Sequence, residues 1–231
     1  PAAEVDPPKF IGAPMKVLTE AQLDTFMAAI EKDEFWHDFF YTAVTTGLRR
    51  GEICALRWED FDAKQETLHV RRTLHKEKGK PLTTGDTKTY AGTRKIVLPP
   101  STAQLLRERK KTAPTEWIFP NPFDPEQPIA PGTAYNRLKA LLKETGLPDI
   151  RFHDLRHTFA THALSSGVDA KTLAGILGHT KASFTLDTYT HTTGDMQKRA
   201  AEIVGGFLTD YLGEEMNPWQ SRENMAAAPS V

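Results

Sequence analysis

Hydrophobic positions recur at helical spacing from the first ordered-looking stretch. Residues 18–33 (LTEAQLDTFMAAIEKD) put Leu23, Phe26, Met27 and Ile30 on one face. Thr19 and Gln22 stand three apart ahead of that face, the separation of a capping box. Residues 33–47 repeat the spacing through Phe35, Trp36, Phe39, Phe40 and Ala43, and Gly47 supplies a C-terminal stop. A short helix is predicted over 50–61. Alternation then takes over: 66–74 carries Leu68, Val70 and Arg72 to one side, and 92–100 (GTRKIVLPP) makes a second strand closed by two prolines. The polar, basic, turn-rich run between them predicts a long hairpin connection in a small antiparallel sheet. Helical spacing resumes over 101–111, 131–145, 154–166, 169–177 and 183–189. The last helix, 195–212, has Met196, Ala200, Ile203, Val204, Phe207, Leu208 and Tyr211 in one stripe. The fold class that follows is α+β, mainly helical with a small antiparallel β-sheet near the N-terminal third.

Composition adds bounds. With 231 residues and 39% hydrophobic content the chain can bury a sizeable core, and residues 16–212 are expected to form one domain. Residues 1–15, with four prolines and no periodicity, are expected to be a linker, and the polar tail 213–231 to be disordered. No apolar run approaches the roughly 20 residues that span a bilayer. The one cysteine, Cys54, allows no disulfide within the chain and no cysteine-based zinc site. It fits a core position in a protein of the cytoplasm.

Charge changes the picture more. The net charge of −1 argues weakly against a nucleic-acid partner, but the charge is unevenly placed. Residues 64–111 hold 13 lysines and arginines against 4 acidic residues, while 1–40 hold 3 against 8. A basic middle of this kind is either a solvated face or the footprint of a phosphate backbone.

The stretch RFHDLRHTFATH (151–162) carries the first candidate chemistry. Its stripe of Phe152, Leu155, Phe159 and Ala163 marks a half-buried helix, yet it opens with His153, Arg156 and His157. His153 and His157, four apart, have the geometry of a zinc dyad. Against a metal stand the short Asp154, the fixed charge of Arg156 and the want of a third ligand at zincin spacing, so no metal is expected. His157 and His162 are assigned to the scaffold. His153 and Arg156 at a helix start instead suit an anion, because the helix dipole and an arginine fork both favour one. Arg49 with Glu52 at another helix start, Lys88 in the basic segment, and His179 followed by Tyr189 are further parts of a phosphate site.

Together these stretches resemble the motif boxes of the tyrosine recombinases, the phage-integrase family. TGLRRGEICALRW resembles the first box, HDLRHTFATH the HxxRH box, and LGHTKASFTLDTYTH the LGH box with its following tyrosine. GDTKTYAGTRKIVLP is similar to the looser lysine box, with Tyr90 where lysine or serine is common. The resemblance covers about residues 16 to 212. It implies that Arg49 and Arg156 clamp the non-bridging oxygens of a scissile phosphate. Lys88 would be the general acid, with Lys80 and Lys95 as alternatives. His153 would assist proton transfer, His179 would hydrogen-bond a phosphate oxygen, Glu52 would hold the cluster in place, and Tyr189 would be the nucleophile.

The activity implied is site-specific DNA cleavage and rejoining through a 3′-phosphotyrosine, without cofactor, metal or ATP, in integration or excision of a mobile element. Double-stranded DNA would be the partner, met by Arg71, Arg72, Lys76, Lys78, Lys80, Arg94 and Lys95. Family members also imply a homotetramer on two sites, exchange of 195–212 between protomers with packing on its own domain as the alternative, an N-terminal core-binding domain that would precede the linker and is expected to be absent from this chain, and a bacterial or phage-encoded origin. The fragment alone would be monomeric. Two rival readings are a zinc hydrolase on His153, His157 and His179, and a DNA-binding module without strand exchange.

Overall fold

The computed structural model describes residues 15–76, 79, 81–86, 92–179, 183, 185 and 188. Seven helices and five strands are assigned among them. Helix α1 (Glu20–Ile30) begins with the expected capping box: Thr19 Oγ1 accepts from Gln22 N at 3.3 Å and Gln22 Oε1 from Thr19 N at 3.0 Å. Its inward residues, Phe26 and Ile30, are fully buried. Helix α2 (His37–Thr46) ends at Gly47, whose φ of 61° is the left-handed cap the sequence predicts. The helix expected over 50–61 is shorter: α3 spans Arg50–Cys54 and a 3₁₀ turn Trp58–Asp60 follows.

The sheet departs from expectation. Strands β1 (Phe61–Asp62), β2 (Thr67–Val70) and β5 (Arg94–Val97) form one antiparallel sheet in the order β1-β2-β5, with Leu68 opposite Ile96 and Val70 opposite Arg94. β3 (Arg72–His75) pairs instead with β4 (Thr83–Asp86), inside the segment expected to be a connection. Residues 66–74 are therefore two strands broken at Arg71. Arg71 Nε and Arg72 Nη2 both reach the Asp60 carboxylate, at 3.1 and 2.6 Å. Successive residues of an unbroken strand point to opposite faces, so two neighbours on one carboxylate require the pleat to break there. The four residues of β4, TTGD, have no apolar alternation to announce a strand; pairing comes from the backbone.

Helices α4 (Pro100–Lys111), α5 (Pro131–Thr145), α6 (Phe152–Ser165) and α7 (Ala170–Leu177) follow. Prolines open α4 and α5, Asp169 caps α7 by accepting from Lys171 N and Thr172 N, and left-handed glycines end α5 (Gly146) and α7 (Gly178). The core centres on an edge-to-face aromatic cluster: Phe39 lies 5.3 Å from Phe40, 5.3 Å from Phe119 and 6.1 Å from Phe152, centroid to centroid. This cluster seats α6 against α2, which fixes where the start of α6 points. Among the described residues no helix is long and apolar enough to cross a membrane. The predicted helix 195–212 and the terminal segments 1–14 and 213–231 lie outside the described residues.

Candidate active site

Arg49 stands at the N-cap of α3, two residues after the α2 cap. Glu52 turns back on it, accepting from Arg49 N at 2.9 Å and from Arg49 Nη1 at 2.7 Å. One carboxylate thus caps the helix and aims the guanidinium, whose Nη2 donates to Gly178 O at 3.3 Å. Glu52 is 2% exposed. Burial pushes its pKa up, but the hydrogen bonds and charge of Arg94 and the charge of Arg49 outweigh that and hold it below the ordinary carboxylate value.

Arg156, on the inward face of α6, is 1% exposed. Its Nη1 donates to Gly47 O at 2.9 Å and its Nη2 to Leu177 O at 2.6 Å. These carbonyls lie at the C-terminal ends of α2 and α7, where helix dipoles favour a cation. Nη2 also donates to His179 Nε2 at 3.0 Å. A guanidinium only donates, so this network assigns the His179 proton to Nδ1, which faces Thr185 Oγ1 at 2.8 Å. Burial, then the charges of Arg156 and Arg49, push the His179 pKa down to about 4. His179 is neutral at pH 7, and donation from Nε2 to a phosphate oxygen requires the other tautomer.

His153 lies one turn before His157 on α6, their rings edge to face at 4.6 Å. Burial and then the charges of Arg156 and Arg49 lower the His153 pKa, which favours the neutral imidazole, the form that can take a proton. His157 is 6% exposed, its pKa pushed down to about 4 by burial first and His153 second. His162 reaches across to Leu18 O at 2.9 Å. Both positions fit the scaffold assignment.

Arg49 and His153 line a cleft of about 830 Å³, together with Arg50, His75, Lys76, Tyr135 and Arg151. Arg50 sits 5.6 Å from the Tyr135 ring centroid in cation–π contact. The close approach of α3 and β3 forms one wall: a Cβ on Gly51 would meet Thr73 Oγ1 at 2.4 Å.

The structure thus gathers Arg49, Glu52, His153, Arg156 and His179. Lys88, Tyr189, Lys78 and Lys80 lie outside the described residues. Of the basic residues expected to meet DNA, Lys76 lines the cleft, and Lys95 is exposed and bonded to Gln65 Oε1. Arg71 and Arg72 are engaged by Asp60, and Arg72 also by Glu59 at 2.6 Å.

Arg94 is placed differently from the expectation. Its side chain is 7% exposed and faces Glu52, so it belongs to the site's interior and not to a DNA-facing surface. The signal was in the alternation: Arg94, Ile96 and Leu98 share a face, and Ile96 and Leu98 are buried. Thr185, buried against His179, and the carbonyls of Gly47 and Leu177 carry no side-chain chemistry that a motif would single out.

A model of the phage integrase family matches residues 16–195. A tyrosine recombinase XerC-like protein of Caldanaerobacter subterraneus subsp. tengcongensis is 30% identical over 188 residues, covering 71% of this chain and 48% of that protein. The ICEBs1 integrase of Bacillus subtilis is 29% identical over 208 residues, covering 84% of this chain and 55% of that protein. The chain therefore spans about half the length of the curated relatives it matches. Among solved structures, the Tn1549 transposon integrase in complex with a circular intermediate DNA superposes with a TM-score of 0.73 at 25% identity, over 84% of this chain and 67% of that one. A XerA recombinase shares the fold at TM-score 0.66 and 19% identity, over 82% of this chain and 65% of that one.

Proposed function

Since this chain belongs to the phage integrase family, we propose that it is the catalytic domain of a site-specific recombinase that cleaves and rejoins double-stranded DNA. The carrying observation is Arg156, bonded at once to the ends of α2 and α7 and to His179. Three distant stretches thereby form one cationic cluster beside a basic cleft.

A phosphodiester transition state gathers charge on its non-bridging oxygens, and fixed donors stabilise it without reorganising. Arg49 and Arg156 serve the non-bridging oxygens. Tyr189 Oη attacks phosphorus and passes its proton to neutral His153. The P–O5′ bond breaks, and Lys88 protonates the leaving 5′-oxygen. The product is a 3′-phosphotyrosine and a free 5′-hydroxyl. Attack by a second 5′-hydroxyl reverses each transfer and reseals the strand. The bond energy stays in the covalent link, so the cycle needs no ATP, and the two arginines supply the charge stabilisation that a metal would otherwise give.

Integration or excision of a mobile element is the role that fits the ICEBs1 and Tn1549 relatives. Assembly as a homotetramer on two DNA sites, with 195–212 exchanged between protomers, and action in the cytoplasm belong to the same proposal.

A nicked suicide DNA substrate in EDTA tests it. The wild-type chain forms a covalent protein–DNA adduct and Tyr189→Phe forms none. An adduct of equal yield from Tyr189→Phe would overturn the assignment.

A further inference from the structure

Among the described residues, Arg94 is a buried guanidinium beside the cluster to which the chemistry above gives no task. Its Nη1 and Nη2 form a fork on Glu52, at 3.1 Å to Oε1 and 2.9 Å to Oε2. Its Nε donates to Ile176 O at 2.6 Å, and Nη1 also to Gly92 O at 3.1 Å. A single side chain therefore joins α3, the last turn of α7 and the backbone just ahead of β5. Ile176 precedes Leu177, whose carbonyl holds Arg156, and Gly178, whose carbonyl holds Arg49.

The charges matter as much as the bracing. The Glu52 carboxylate accepts four hydrogen bonds, two from Arg94 and two from Arg49. Its single negative charge is thus divided between two guanidiniums, and the Arg49–Glu52–Arg94 group keeps a net positive charge. Without Arg94 the carboxylate would be neutralised by Arg49 alone. Arg49 would then be an internal ion-pair partner, drawn away from an anion in the cleft.

From this geometry we infer that Arg94 is a positioning residue: by bracing and neutralising Glu52 it leaves the charge of Arg49 available to the scissile phosphate. The inference rests on the recombinase reading above. It replaces a DNA-contact role for Arg94 with an internal one, and it differs from a merely structural salt bridge in its dependence on charge.

The test compares adduct formation by the wild type, Arg94→Lys, Arg94→Gln and the double variant Arg94→Gln/Glu52→Gln, each checked for folding by circular dichroism. Arg94→Gln loses about 10–100-fold in cleavage rate, the range seen when a partner that orients a metal-ligating side chain is removed. Arg94→Lys, which keeps the charge without the fork, falls between Arg94→Gln and the wild type. The double variant regains cleavage over Arg94→Gln, because no uncompensated carboxylate remains to capture Arg49 while the amide oxygen in its place can still accept from Arg49 N and Nη1. A second readout uses a methylphosphonate at the scissile position. That linkage lacks the charge Arg49 would neutralise, so the gap between Arg94→Gln and the wild type narrows.

Equal deficits on both linkages, no recovery in the double variant, or wild-type rates from Arg94→Gln each overturn the inference. Should Arg94→Gln fail to fold, Arg94→Lys on the two linkages decides it. If the wild type forms no Tyr189-dependent adduct, the recombinase reading itself falls, and that outcome is distinct from a wild-type adduct with indifferent Arg94 variants.

Discussion

Arg156 shows how much one residue is asked to do. A buried cation is costly unless it is hydrogen-bonded, and here two helix-end carbonyls and a histidine nitrogen accept from its two Nη groups. A lysine keeps the charge but lacks the planar fork that serves Gly47 O from one nitrogen and Leu177 O from the other. Arg156→Lys is expected to lower stability by about 1–3 kcal/mol through unsatisfied buried acceptors. Cleavage is expected to fall on the order of 10²–10³, the loss typical of a removed transition-state donor. Urea denaturation and adduct formation measure the two effects, and wild-type values in both would show that the fork is dispensable.

The histidines give a pH prediction at the same scale. His157 and His179 have folded pKa values pushed down to about 4 from an ordinary 6.5. Between those pH values the unfolded chain binds protons that the folded chain refuses, so stability falls as pH drops through that window. Thermal unfolding from pH 7.5 to 4 is expected to show a declining midpoint, and a less steep one in His157→Gln. A midpoint that holds level down to pH 4 would contradict the assigned neutral imidazoles.

Among elements, the end of α2 is the most constrained. Gly47 has a φ of +61°, and an added Cβ would stand 2.4 Å from Phe159 Cδ1. The glycine lets α6 come close enough for Arg156 to reach the carbonyl of that same residue. Gly146 has a similar φ of +67°, yet among the described residues nothing lies within 4 Å of where its Cβ would stand. Gly146→Ala therefore incurs only the left-handed penalty, about 1–2 kcal/mol. Gly47→Ala adds the clash and is expected to lose more stability and most cleavage activity; equal denaturation midpoints for the two variants would refute the packing argument. The helix boundaries at Thr19 with Gln22 and at Gly47 were legible because their signals are local. Strand β4 and the break at Arg71 were not, since one depends on backbone pairing alone and the other on Asp60, 11 residues back in the chain.

For the whole molecule, the near-neutral total conceals a cleft lined by Arg49, Arg50, Lys76 and Arg151. If DNA lies along it, affinity falls steeply with salt as counterions are released. Lys76→Gln is expected to reduce the slope of log K against log salt by about 1, while buried Arg94→Gln leaves it nearly unchanged. Fluorescence anisotropy with a short duplex over a salt series reads both slopes. A larger change from Arg94→Gln than from Lys76→Gln would return Arg94 to the DNA-facing surface.

By itself the sequence determined most of the helical framework among the described residues, the candidate phosphate-binding residues and the resemblance that joins them, because caps, periodicity and motif spacing are written within a few neighbouring positions. Only the tertiary structure decided which partners each residue meets inside the cluster. Arg156 takes its acceptors from residues 109 and 21 positions away, and Arg94 meets Glu52 across 42. Those partners are two backbone carbonyls and a buried carboxylate. A carbonyl looks the same at every residue in a sequence, and its value here comes from the helix end that presents it.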